Sequence, residues 1–209
     1  TREGCWDGAE GCDETYPAVL GLDVADPASP RLVGAFASRD GAGRIAADGT
    51  RIVVTKSTCG LTVIDVSDPA SPRQERCGNL FAPDNVQANV LDGVAVAGST
   101  AFFLDALADL WVADLVAQDL RTIGHLAIAV SPEGKRRFVD GGDAEVVMND
   151  AGGVLVALGG FGLAVVNAED LGDVREVGAV EFEEDIGTGQ ARLVISGTVG
   201  YARVPVSDG

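Results

Sequence analysis

Histidine occurs once in this 209-residue chain, at His125, and no two cysteines form a C-x-x-C pair. Histidine-ligated zinc needs several such ligands at close spacing, and a Ser-His-Asp triad needs an oriented partner for its imidazole. The sequence offers His125 neither, which makes it a half-buried structural side chain. Positive charge is scarce as well, with 15 Lys and Arg against 32 Asp and Glu for a formal net charge of -17. A surface of that sign repels phosphate backbones, which argues against a nucleic-acid partner. Long apolar runs are missing too: VLDGVAVAGSTAFFLDALADLWVADLV is cut by Asp92, Asp105, Asp109 and Asp114. No window approaches the roughly 20 uninterrupted apolar residues of a membrane helix. Aromatics make up 5% of residues although hydrophobics reach 46%. The core must therefore be built from Val, Leu, Ala and Ile, with the 28 glycines supplying turns, a mixture that favours many short strands over long helices. No Gly-rich loop follows a strand and opens a helix, so nucleotide binding lacks its structural context.

What is present in even number is cysteine: Cys5, Cys12, Cys59 and Cys77. Three pairings are open, of which Cys5 with Cys12 and Cys59 with Cys77 is the simplest. Disulfides, and hence an oxidising compartment, are the expectation, with buried free thiols as the alternative. Bridging Cys59 to Cys77 requires that the register of adjacent antiparallel strands bring their ends together.

The chain repeats itself. LGLDVADPASPR at 20–31 and LTVIDVSDPASPR at 61–73 share DPASPR, and weaker copies follow in LWVADLVAQDLRTIG and GLAVVNAEDLGDVREVG. The landmark residues are Asp23, Asp65, Asp114 and Asn167. Upstream of Asp65, Asp114 and Asn167 lies strand, glycine turn, strand, with turn glycines at Gly49, Gly98 and Gly153, and the same pattern recurs once more at Gly197. Each unit thus reads as four strands, with Gly giving the positive φ of the hairpin turn and paired prolines such as Pro69 and Pro72 separating the third strand from the fourth. Residues 104–116 carry a competing helical period through Leu104, Leu107, Trp111 and Leu115, but their place in the repeat assigns them to strands.

Four-stranded meanders of this length are the size of propeller blades, which bury their faces only against neighbouring blades. CGLTVIDVSDPASPR and LGLDVADPASPRLVGAF resemble the repeat of the LVIVD family; the copies at 110–126 and 162–180 depart from it, lacking Asp-Pro and, in the last, placing Asn167 where the motif has Asp. The resemblance spans about residues 17–208 and implies a secreted or cell-surface β-propeller with no reaction attached. The motif aspartates are expected to cap their turns by accepting backbone N–H groups.

The expected fold is therefore all-β, one propeller domain over 1–209: a Cys-bracketed loop over 1–16, complete blades over 37–78, 79–126 and 127–182, and one blade shared between 17–36 and 191–208. Sharing that blade would close a four-bladed ring; the alternative is an arc of a six- or seven-bladed propeller, whose open faces and edges make it the less favoured reading.

Acidic loops are the candidates for chemistry. They comprise Asp40, the group Asp140, Asp143 and Glu145, and the group Glu181, Glu183, Glu184 and Asp185. Converging carboxylates could hold Ca²⁺ through oxygen ligands, with Asp140, Asp143 and Glu145 as the set, although DGGDAE lacks the ligand rhythm of a helix-loop-helix calcium site and solvated charge is the simpler reading. Trp6 in GCWDGAEGC is a contact candidate or a packing lid, and Lys135, Arg136 and Arg137 read as a basic hairpin tip. Overall the sequence reads as a non-enzymatic binding or scaffolding propeller for a protein or glycan outside the cytoplasm, secreted, periplasmic or surface-held, with no cofactor. The competing readings are a carbohydrate-active hydrolase or lyase with carboxylates at the channel mouth, and calcium-dependent surface adhesion.

Overall fold

The computed structural model describes residues 16–38, 43–57, 60–78, 91–105, 109–117, 120–127, 144–148, 153–158, 162–181, 192–196 and 199–203. Among them every regular element is a strand, so no helix long and apolar enough to cross a membrane occurs there.

The strands fall into five antiparallel sheets in chain order. A first hairpin pairs β1 (Tyr16–Asp23) with β2 (Arg31–Ser38). Three four-stranded meanders follow: β3 (Ile45–Asp48), β4 (Arg51–Ser57), β5 (Gly60–Asp65) and β6 (Arg73–Gly78); then β7 (Leu91–Ala97), β8 (Thr100–Asp105), β9 (Asp109–Asp114) and β10 (Arg121–Ala127); then β11 (Ala144–Met148), β12 (Gly153–Leu158), β13 (Gly162–Asn167) and β14 (Arg175–Glu181). A last hairpin pairs β15 (Arg192–Ser196) with β16 (Val199–Arg203). These are the four-stranded antiparallel units of a β-propeller-like fold. Within 104–116, residues 104–105 end β8 and 109–114 form β9; Phe102 and Leu104 face one neighbouring sheet while Phe103 faces the other, the period-two alternation of a strand.

The turns follow from residue type. Gly49 (φ 58°) opens the two-residue turn that joins Asp48 to Arg51, and Gly98 (φ 56°) does the same between Ala97 and Thr100. Each sits in the left-handed region that a side chain resists. The two turns are also tied to each other, since the Gly98 N–H donates to the Asp48 carboxylate.

The sheets stack face to face in sequence order. Val19 and Phe36 of the first hairpin meet Val54 and Ile64 of the second sheet. Val53 and Val63 on its far face meet Phe103, Ala113 and Leu115 of the third. Phe102, Leu104 and Val112 then meet Val154, Ala164 and Val166 of the fourth, and Leu193 of the last hairpin covers Val147 and Leu163. Central strands such as β5 and β8 are thus buried on both faces, which is why they read as unbroken apolar runs. The sheet expected to be shared between 17–36 and 191–208 is not formed by the described residues: β1–β2 and β15–β16 are two separate two-stranded sheets.

Candidate functional site

The four landmark residues occupy equivalent places, each at the end of the third strand of its unit. Asp23 Oδ1 accepts the Ala25 N–H at 3.0 Å, Asp65 Oδ1 the Ser67 N–H at 2.9 Å, Asp114 Oδ1 the Val116 N–H at 2.9 Å, and Asn167 Oδ1 the Glu169 N–H at 2.9 Å. A second side chain three residues on repeats the device, with Asp26, Asp68 and Asp170 accepting from Ala28, Ala70 and Gly172. Asn serves in place of Asp because only a side-chain oxygen at that distance is needed. In the first two copies an arginine opening the fourth strand is added, Arg31 at 2.7 Å from Asp23 and Arg73 at 3.6 Å from Asp65. The Ala25 N–H, then Arg31, hold the Asp23 carboxyl below its ordinary value; for Asp65 the Ser67 backbone and hydroxyl do so first, with Arg73 and Arg51 adding to them. These groups are internally satisfied and build the loops. A polar cleft of about 470 Å³ lies along the first of them, beside Asp23, Asp26 and Arg31.

A different cluster lies at the opposite end of the third sheet, where β8 hands over to β9. Asp105 and Asp109 are both buried, an expensive placement for two carboxyls unless they are hydrogen-bonded. Asp105 Oδ1 accepts the Asp109 backbone N–H at 3.0 Å, and its Oδ2 accepts the Trp111 indole N–H at 2.9 Å. Asp109 Oδ2 lies 3.2 Å from His125 Nε2, and the Trp111 and His125 rings stack with centroids 4.0 Å apart. His125 stands directly across from Trp111 in the β9–β10 ladder, so both rings share one face of the sheet. Its side chain is 41% exposed, so one edge of a stacked pair, oriented from behind by two buried carboxyls, reaches solvent. The expectation that His125 lacks a partner is corrected here: Asp109, 16 residues earlier, supplies one. What the arrangement offers chemically is a rigid aromatic platform with an imidazole whose orientation is fixed by a carboxylate. No group of three metal-binding side chains occurs among the described residues.

Of the acidic candidates, Glu145 and Glu181 are among the described residues. Glu145 is on β11, where its carboxylate accepts the Leu193 N–H and ties the fourth sheet to the last hairpin. Asp40, Asp140, Asp143, Glu183, Glu184 and Asp185 lie outside the described residues, as do Trp6, Lys135, Arg136, Arg137, Cys5, Cys12 and Cys59; Glu181 closes β14. Cys77 lies on β6 opposite Thr62, whose hydroxyl oxygen is 3.4 Å from its Sγ. Trp111, Asp105 and Asp109 had not stood out as a site. Alternation places Asp109 and Trp111 on one face of β9, and a hairpin count across to β10 is the signal that brings His125 to them.

No curated protein matches the sequence. Two solved structures are similar in shape. One is a complex of S. cerevisiae Dbp5 bound to Nup159, Gle1, IP6 and ADP, at 12% identity and a TM-score of 0.46 over 78% of this chain and 44% of that one. The other is the N-terminal domain of Nup159, at 12% identity and a TM-score of 0.45 over 78% and 43%. The present chain thus spans less than half the length of either. In sequence, residues 42–75, which run from just before β3 into β6, match the LVIVD repeat. Repeats of this kind on a propeller-like scaffold suggest a binding module, and residues 42–75 are the part of this chain that is similar to the LVIVD repeat.

Proposed function

We propose that the protein is a non-enzymatic binding module working outside the cytoplasm, secreted, periplasmic or held at a cell surface, and that the rim around Trp111 and His125 receives a glycan. The observation that carries this reading is the stacked pair fixed by Asp105 and Asp109. An aromatic face that loses no rotamer freedom on binding suits the apolar face of a sugar ring, while the imidazole edge offers a hydrogen bond to a hydroxyl. Both buried carboxyls come from one sheet and serve as acceptors within it, which favours positioning over the acid and base pair of a hydrolase. The even number of cysteines supports disulfides and an oxidising compartment, and we assign the pairs as Cys59 with Cys77 and Cys5 with Cys12; peptide mapping without reduction tests both. Calcium-dependent adhesion through Asp140, Asp143 and Glu145 is the second reading, and thermal melts with and without chelator decide it, since a bound ion raises the melting temperature.

The direct test is a glycan array followed by calorimetry on the best ligand. Replacing His125 with Ala should weaken binding by about tenfold or more, equivalent to about 1.4 kcal/mol, with Trp111→Phe intermediate. Binding of wild type that His125→Ala leaves untouched, or binding only to proteins, would refute the glycan reading.

A further inference from the structure

The repeat does not require the stacked pair of the third sheet. Counting back from the landmark residue, the ladder position of Trp111 and His125 holds Leu20 and Ala35 in the first hairpin, Thr62 and Cys77 in the second sheet, and Ala164 and Ala179 in the fourth. Two residues earlier, where the third sheet has Asp109, the second and fourth have Gly60 and Gly162. Those sheets fold on the same plan with neither the rings nor the carboxyl, so the third sheet carries them over and above what the fold needs.

The hydrogen bonds of the cluster all run inward. The Trp111 indole has a single N–H and gives it to Asp105 Oδ2, and the Asp109 amide gives its own to Asp105 Oδ1. Asp109 Oδ2 then meets His125 Nε2 at 3.2 Å. A carboxylate has no proton to donate, which assigns the proton of the neutral imidazole to Nε2 and leaves Nδ1 with its lone pair. Among the described residues Nδ1 has no hydrogen-bond partner. The Asp109 side chain is 7% exposed and that of His125 41%. All three N–H groups are therefore spent within the protein, and what the ring offers a ligand is an acceptor.

We propose that Asp109, by fixing this tautomer, makes the rim select glycans that donate a hydrogen bond to His125 Nδ1. Neutral sugars do so through a hydroxyl and acetamido sugars through the amide N–H, while carboxylated and sulfated sugars are rejected. The proposal rests on the glycan reading above and adds to it the polarity of the contact. A carboxylate or sulfate brings acceptors alone, and would set them against the Nδ1 lone pair, with a buried carboxylate behind the ring and a net charge of -17 on the chain. A site built to accept a proton discriminates against an analogue that has none to give. Asp109 is here a positioning residue: Asn in its place can face Nε2 with its oxygen or with its NH2, so the tautomer is no longer imposed.

A glycan array holding neutral, N-acetylated, carboxylated and sulfated oligosaccharides tests the class. Calorimetry follows with the methyl glycoside of the best-bound sugar and with analogues that accept but cannot donate, fluorine for each hydroxyl in turn and an ester oxygen for an amide N–H. Binding is expected among neutral or N-acetylated members, with one such exchange weakening the wild type about fivefold to tenfold. That penalty should shrink in Asp109→Asn and vanish in His125→Phe, which keeps a stacked ring and removes Nδ1. Preferential binding of carboxylated or sulfated sugars overturns the inference and leaves the glycan reading standing. A penalty retained in full by Asp109→Asn or by His125→Phe overturns it in the same way. Binding to no class of sugar removes the glycan reading itself, and this inference with it.

Discussion

The first hairpin and the third sheet are built from the same repeat, yet one is covered on a single face and the other on both. Phe102 and Phe103 are adjacent on β8 and enter two different cores, whereas on β1 Val19 is buried while Leu20 and Leu22 remain exposed. Composition does not separate them, since Leu22 is as apolar as Ile64. What differs is whether a neighbouring sheet is present. Strand stability in this molecule is therefore set by stacking more than by β-propensity.

That comparison breaks most sharply at β8. Phe103→Ala should cost about 3–5 kcal/mol in urea unfolding, the usual consequence of emptying a core site, while Leu22→Ala should fall within about 0.5 kcal/mol of wild type. Equal losses would mean that the two faces are alike. Asp105→Ala comes next, at about 1.5–3 kcal/mol, because it removes the acceptor of the part-buried Trp111 indole N–H and the buried Asp109 amide; Asp23→Ala, on the open hairpin, should cost less. Gly34→Ala should lose about 1–3 kcal/mol by overpacking against the Pro69 carbonyl, whereas Gly178→Ala should be silent. The smallest effect concerns acid. Asp23 and Asp65 have folded-state values lowered from 3.8, so their contribution is complete above that value and is lost as the pH falls through the lower, folded ones. Stability measured from pH 5 downward should decline less steeply in Asp65→Asn than in wild type.

Much of this was legible in the residues. DPASPR marks the break between third and fourth strands because two prolines and an Asp turn leave the chain little else to do, and the degenerate copies at Asp114 and Asn167 were recoverable because each keeps an oxygen two residues before the N–H it must accept. The Trp111 and His125 pair was not legible. A bulge between Thr122 and Gly124 shifts the β9–β10 register by one residue, and that shift decides which face His125 occupies.

Native-state hydrogen exchange tests the stacking account most directly. Amides of β5, β8 and β9 should exchange only through global unfolding, while those of β1–β2 and β15–β16 exchange through local opening at much lower cost. Protection of the first hairpin equal to that of β8 would contradict it.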